Sequence, residues 1–526
     1  MNLQAVLAEV WPRARRKHFF PELPQPQMTD GLSQEAVDIR QRQIILNPSF
    51  CQQLAEHLPI AEVIEALLDH GIAHYTRCPW DFATQLRLYA AAKSELGRRD
   101  YAQRATDIFI DVVTNTHCVK DFETALPQVY RHLQHLSGRP LDRLMTALYS
   151  LIWGMDLEAS GPEPLLRRLA RIPYLDRRRW EESMRRFCRL IHPVLDQELQ
   201  HSEILPTALL GRHGLSQHSH NEVERGLRAF ALHVDNPREF RTTIADFDEE
   251  LVAQGHAEEQ EGMGRGRGEQ IDTGLLYYMK LTEQYQLPVS EAPLHKSSSS
   301  DPYMHTPWEL GKPIQDLDVW TSFGKIFPGL SQAWLYQNGL IYGRREGVPD
   351  CIIILDSSGS MANPRYLLSH AILGAGCAAD AYLRAGAQVA VYNFSDVPAG
   401  DKLLLDFSNE RRQVYQALCR YFGGGTVFSF EELDELLRLV EHDMPDIFFI
   451  TDMQIPNLQS LIDYLSELTG RITVVHIGDT DSAAIFKKET ARWKNAQVFS
   501  VQRREDIPHI VLGQVKTYLG YSQANQ

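Results

Sequence analysis

The chain has 526 residues, 44% of them hydrophobic and 23% charged, which is too long for one hydrophobic core and reads as a multidomain soluble globular protein. Its 53 basic and 68 acidic residues leave a net charge of −15, which argues against a general nucleic-acid binder. No run approaches the roughly 18–20 apolar residues of a membrane span.

Residues 1–21 mix apolar side chains with Arg13, Arg15, Arg16 and Lys17. They lack the apolar core and cleavage site of a signal peptide, so a cytoplasmic location is expected. The seven cysteines (51, 78, 118, 188, 351, 377 and 419) never form a C-x-x-C pair, which suits reduced thiols rather than a zinc ribbon or disulfide framework.

From the start to about residue 285 the pattern is helical, with apolar residues at three- and four-residue spacing across 60–68, 82–92, 126–136, 141–155 and 223–232. Strand-like alternation is hard to find there. One helical domain or two are expected, with a break near 160–164. Arg167, Arg168, Arg171, Arg177, Arg178, Arg179, Arg185, Arg186 and Arg189 crowd one helical stretch. A solvated helix face is one reading of them, and an acidic partner or peripheral contact with an anionic membrane is the other.

Within 65–91 (EALLDHGIAHYTRCPWDFATQLRLYAA), His70 and His74 are four apart on a helix, so both imidazoles face one way and suit Zn²⁺. Asp111, in the run Asp107-Ile-Phe-Ile-Asp111, is the candidate third ligand. Histidines at this spacing also serve as packing residues. His132 and His135, and the group His213, His218 and His220, fit helix, loop or cap positions without metal. The H-x-x-x-H-Y segment with C-P-W-D after it resembles a degenerate zincin-like metallopeptidase region. Zincins use H-E-x-x-H with the Glu as general base. Gly71 stands in that place here, so the usual hydrolytic route is not expected.

Residues 255–270 (GHAEEQEGMGRGRGEQ) read as a loop, and their glycines match no phosphate-binding pattern. A polar stretch, 291–301, reads as a linker, and 308–342 as an aromatic collar. After Val348 the character changes. CIIIL at 351–355 is a continuous apolar run, the mark of a buried parallel strand. A helix over 366–385, strands over 388–394 and 403–407 and a helix over 411–421 follow. Then come a helix over 433–440, a strand over 447–451, a helix over 458–468, strands over 472–477 and 497–501, and a closing segment, 506–518. This alternation predicts a doubly wound, Rossmann-like α/β domain over 348–520, preceded by a helical region over 1–285 and a linker with collar over 286–347.

Polar residues fall at the carboxyl ends of these strands, where doubly wound sheets bind ligands. Directly after CIIIL comes Asp356-Ser-Ser358-Gly-Ser360, and directly after DIFFIT comes Asp452. The loop Gly423-Gly424-Gly425-Thr426 presents a hydroxyl between them. Two carboxylates and three hydroxyls suit Mg²⁺, a hard cation wanting about six oxygens, or Mn²⁺ or Ca²⁺ in its place. They also leave one coordination position open to a partner's carboxylate.

The motif, with its strand, glycine loop and second strand–Asp, resembles the metal-ion-dependent adhesion site of the von Willebrand factor A (VWA), or integrin I-like, family. That resemblance implies that Ser358, Ser360 and Thr426 are hydroxyl ligands and that Asp356 and Asp452 bind directly or through water. Phe394-Ser395-Asp396 also looks family-like. Over roughly 305–520 the layout, including Trp308-Glu-Leu-Gly-Lys-Pro-Ile-Gln-Asp-Leu-Asp318, is similar to bacterial VWA proteins that work with MoxR-type AAA+ ATPases, the CoxE-like group among them. The resemblance implies a non-catalytic adaptor that links such an ATPase to a client protein during maturation or remodelling. The alternative is a zinc-dependent hydrolase whose VWA domain delivers substrate.

Overall fold

Buried polar residues on two central helices, and buried strand ends in one sheet, set where chemistry can occur. The computed structural model describes residues 3–29, 36–136, 140–200, 214–256, 272–285, 300–312, 314, 317–322, 326–338, 348–395, 404–440, 444–477, 481–493, 495–501 and 506. The chain divides into two units, Met1–Gln284 with Ala362–Ser369, and Tyr285–Met361 with His370–Gln526. No described helix is long and apolar enough to cross a membrane.

The first unit is built around the helices Ile60–Thr76 and Arg99–Asp121, which pack on each other. Every residue from 63 to 74 and from 105 to 116 is buried. A helix apolar on one stripe lies at a surface, whereas one enclosed all round forms the centre of its unit. Leu3–Lys17, Pro48–Ala55, Phe82–Leu96 and Leu126–Leu136 are among the helices that wrap this pair. The enclosure covers Asp69, His70, His74, Asp107, Asp111, Thr114 and Asn115 as well as the aliphatic side chains. Polar groups so placed must be paired inside the protein.

This unit also holds a three-stranded sheet that the helical reading misses, formed by Gln27–Met28, Val37–Arg40 and Gln43–Leu46. Strands of two to four residues are too short to display alternation. Val37, Ile39, Ile44 and Leu46 bury their side chains, and the tight connection uses positive φ at Gln41 and Arg42.

Two consequences are measurable. A Cβ on Gly226, in the helix His220–His233, would come within 2.8 Å of the Phe82 side chain and 3.1 Å of the Ala83 backbone nitrogen. Gly226→Ala gains about 1 kcal/mol of helix propensity, but overpacking costs about 1–3 kcal/mol. A net loss of stability is expected on denaturant unfolding. Glu181 bonds His233 and Arg87 from two other helices, at 3.4 Å in the first case. The His233 imidazole and then the Arg87 guanidinium hold its carboxyl down to about 2, against the opposing effect of burial. A depressed folded-state value means the contribution is present above the unfolded carboxyl range and is lost as pH falls towards 2. Both partners are more than a third exposed, so screening reduces the contribution to about 1 kcal/mol. Glu181→Gln should lower stability at neutral pH and flatten the decline between pH 5 and 2.

The second unit carries a six-stranded sheet in the order Ala496–Val501, Ile472–Ile477, Asp446–Thr451, Cys351–Asp356, Val389–Phe394, Leu404–Ser408. All pairings are parallel except that of the last strand, which runs antiparallel at the edge. CIIILD, VAVYNF and DIFFIT are buried at every residue, as a central parallel sheet covered on both faces requires. The helix expected from 366 begins at His370, and Ala362–Ser369 belongs to the helical unit instead. There the Tyr278 hydroxyl accepts from the Ser369 amide at 2.9 Å and donates to the Leu367 carbonyl at 3.3 Å.

The segment read as an aromatic collar contains an antiparallel pair, Ser300–Pro307 with Gln332–Asn338, over a small core of Trp308, Leu317 and Ala333. The expected loop at 257–270, the linker at 286–299 and the closing segment from 507 lie outside the described residues.

Candidate metal centres

Along the sheet the strand order reverses between Cys351–Asp356 and Asp446–Thr451. A crevice outside the carboxyl ends at such a switch point is where doubly wound sheets bind ligands. The Asp356 carboxylate is buried there, with Oδ1 accepting from the Ser358 amide at 3.0 Å and Oδ2 from the Thr451 hydroxyl at 2.7 Å. Thr451 also accepts from the Met453 amide at 2.9 Å. One hydroxyl thus ties the two strand ends together. The Ser358 and Ser360 hydroxyls share a hydrogen bond at 3.0 Å, a separation close to the about 2.9 Å edge of an octahedron with Mg–O bonds of about 2.0–2.1 Å.

The glycine loop closes on this turn. Gly423, at φ +69°, donates to the Ser357 carbonyl at 2.8 Å, and Gly359 donates to the Gly424 carbonyl at 3.0 Å. A Cβ on Gly359 would sit 3.3 Å from the Gly423 carbonyl oxygen, so a larger residue would push the two loops apart. Ser395 fastens the loop from a third strand end, accepting from the Gly424 amide at 3.1 Å and donating to the Gly425 carbonyl at 3.2 Å. Thr426 donates to the Gln454 carbonyl at 2.7 Å, and the Gln454 amide donates to Asp452 Oδ1 at 3.0 Å. Because the threonine proton is directed at Gln454, its oxygen lone pairs remain available to a cation. Burial, together with neighbouring Asp452, pushes the Asp356 carboxyl above the usual carboxylate range. A divalent cation among these oxygens relieves that charge crowding, so the donor set fits Mg²⁺.

In the helical unit His70, His74 and Asp111 come together with exposures of 0%, 3% and 1%. Asn115 donates its amide hydrogens to the hydroxyls of Tyr130 at 2.8 Å and Tyr149 at 3.3 Å, which turns its Oδ1 towards His70 Nδ1 at 2.8 Å. His74 Nδ1 lies 3.0 Å from the Cys78 carbonyl oxygen, which can only accept. Both Nδ1 atoms therefore carry hydrogen, and in the neutral rings both Nε2 atoms carry lone pairs. Those lone pairs face each other at 3.0 Å, with Asp111 Oδ1 at 3.8 and 3.7 Å from them. Burial raises the Asp111 carboxyl to about 8, with His70 and Arg104 opposing. A Cβ on Gly71 would meet the Ile44 side chain at 3.1 Å, so that position faces the small sheet, and a carboxylate there would be packed against a strand.

Among the described residues a second His/Glu group comprises His220, Glu224 and His256. Its geometry is explained without metal: the two imidazoles stack at 4.1 Å, His256 Nδ1 lies 2.9 Å from Glu224, and the Lys280 ammonium bonds the same carboxylate. Sequence reasoning had no means to bring His256 to His220. His218 is buried with its Nε2 2.7 Å from Gln85 Oε1, and His132 stacks on His57. His213 and Asp396 lie outside the described residues. All seven cysteines are free thiols. The supporting residues Thr451, Gln454, Asn115 and Cys78 carry no sequence signal, because each acts through a hydroxyl, amide or carbonyl whose role appears only on folding. The chain matches no protein-family model and no curated protein sequence.

Proposed function

We propose that the chain is a metal-dependent protein-interaction adaptor of the VWA type, acting in the cytoplasm. Mg²⁺ held by Asp356, Ser358, Ser360, Thr426 and Asp452 would capture a carboxylate of a partner in its open coordination position. The observation that carries this reading is the convergence of three loops at the switch point, with the Ser358 and Ser360 oxygens at an octahedral edge distance. The sequence has no P-loop, so ATP-driven work would come from an AAA+ ATPase of MoxR type, and the helical unit would engage the client. A pull-down from the native cell in Mg²⁺ or EDTA tests this. An AAA+ ATPase retained only in Mg²⁺ supports the adaptor, and retention indifferent to the cation sinks it.

A second reading, a zinc-dependent hydrolase, draws on the convergence of His70, His74 and Asp111. It ranks lower because position 71 offers no general base. Peptidase activity lost in His70→Ala would promote it.

A further inference from the structure

We propose that His70, His74 and Asp111 hold one zinc ion as an internal cross-link between the two central helices, without hydrolytic chemistry. The inference stands apart from the adaptor reading, since it uses a different unit and different ligands.

The tautomers carry the argument. Two imidazole lone pairs directed at each other across 3.0 Å repel, and a carboxylate oxygen beside them adds to the repulsion. Either a shared proton or a cation must lie between them. Three distances decide in favour of the cation. The nearest point equidistant from the two Nε2 atoms and Asp111 Oδ1 lies in their plane at about 2.05 Å from each, so an ion slightly out of that plane, with room for a fourth ligand, stays within the range of zinc–nitrogen and zinc–oxygen bonds. A hydrogen bond shared by His70 and His74 alone would not require Asp111 Oδ1 to stand nearly equally far from both.

The separations also select among metals. They range from 3.0 to 3.8 Å, around the about 3.3–3.4 Å edge of a tetrahedron with zinc-length bonds. A facial octahedral triad of two histidines and a carboxylate has edges of about 3.0 Å throughout, so iron-type coordination fits less well. The surroundings are those of a metal site. Each ligating imidazole is oriented through its other nitrogen, by Asn115 in one case and the Cys78 carbonyl in the other, the arrangement that fixes the tautomer and raises ligand basicity. Asn115 is held in turn by Tyr130 and Tyr149.

The same burial argues for a cross-link over a reactive centre. A cleft of about 550 Å³ in this unit is lined by Tyr75, Arg77, Trp80, His117, Arg177 and Trp180 among others, and none of the three ligands reaches it. A catalytic zinc needs an open position that a substrate can enter. Here the fourth position would face protein interior.

The test uses the full-length Asp356→Ala chain, which lacks a ligand of the other candidate cation site. After chelation it is titrated with Zn²⁺ and, separately, with Co²⁺. The proposal expects one equivalent of zinc by mass spectrometry and the intense visible bands of tetrahedral cobalt. It also expects the thermal midpoint to rise by at least about 5 °C on zinc addition. Adding His74→Ala or Asp111→Asn should abolish the equivalent, and Asn115→Ala should weaken zinc binding about 10–100-fold. Less than a tenth of an equivalent bound at saturating zinc would overturn the proposal in favour of a shared proton. So would weak, octahedral cobalt bands. The cobalt spectrum needs no ligand variant, so a variant that fails to fold does not protect the proposal.

Discussion

Asp356→Asn is expected to lower partner capture in Mg²⁺ to the level that wild type shows in EDTA, a loss of about two orders of magnitude or more. The carboxylate is buried, bonded to the Ser358 amide and the Thr451 hydroxyl, and pushed towards protonation by burial and by Asp452. Asparagine keeps an acceptor for the Ser358 amide, and the Thr451 hydroxyl can turn to accept from the new amide. The fold should therefore persist while the charge is lost. Isothermal titration with Mg²⁺ and a pull-down on the same preparation separate the outcomes. If the variant binds no Mg²⁺ yet captures the partner as wild type does, the cation does not mediate capture.

Phe449→Ala should reduce stability by about 3–5 kcal/mol, the ordinary range for emptying a buried phenylalanine site. Phe449 is fully enclosed, stacked on Phe394 at 5.8 Å and edge-on to Phe428 at 6.0 Å. Position gives the substitution a second effect. Phe394 precedes Ser395, Phe428 follows Thr426 by two residues, and Phe449 precedes Thr451 by two. The aromatic cluster therefore fixes the strand ends and loop that carry the oxygens of the proposed cation site. Mg²⁺ affinity should fall together with stability, whereas Leu465→Ala, in the same core on the helix Leu458–Glu467, should cost about 2–5 kcal/mol and leave the affinity unchanged. Equal effects of both variants on affinity would remove the special role of the cluster.

Where the sequence was legible, a local pattern matched a local environment. CIIIL and DIFFIT read as buried parallel strands because burial on both faces demands uninterrupted apolar side chains, and Asp356 and Asp452 fall where those runs stop. His70 and His74 were legible through helical spacing alone. The partners that determine their chemistry were not: Asn115 lies 45 residues from His70, and Thr451 lies 95 from Asp356. The short sheet at 27–46 left no periodic trace. The pair Ser300–Pro307 and Gln332–Asn338 was masked by aromatic and turn-rich sequence between its strands.

The placement of Ala362–Ser369 in the helical unit has a consequence for how the protein comes into being. Bonds of the Tyr278 hydroxyl to Leu367 and Ser369 cannot form until the ribosome has made the strand Cys351–Asp356 and passed the turn that follows it. At about 5–20 residues per second, the helical unit waits on the order of ten seconds after its last N-terminal helix is synthesised. It is also finished by a peptide that genetic truncation at residue 284 would remove. The two units therefore do not follow one another like beads: each is assembled from two separate stretches of the chain.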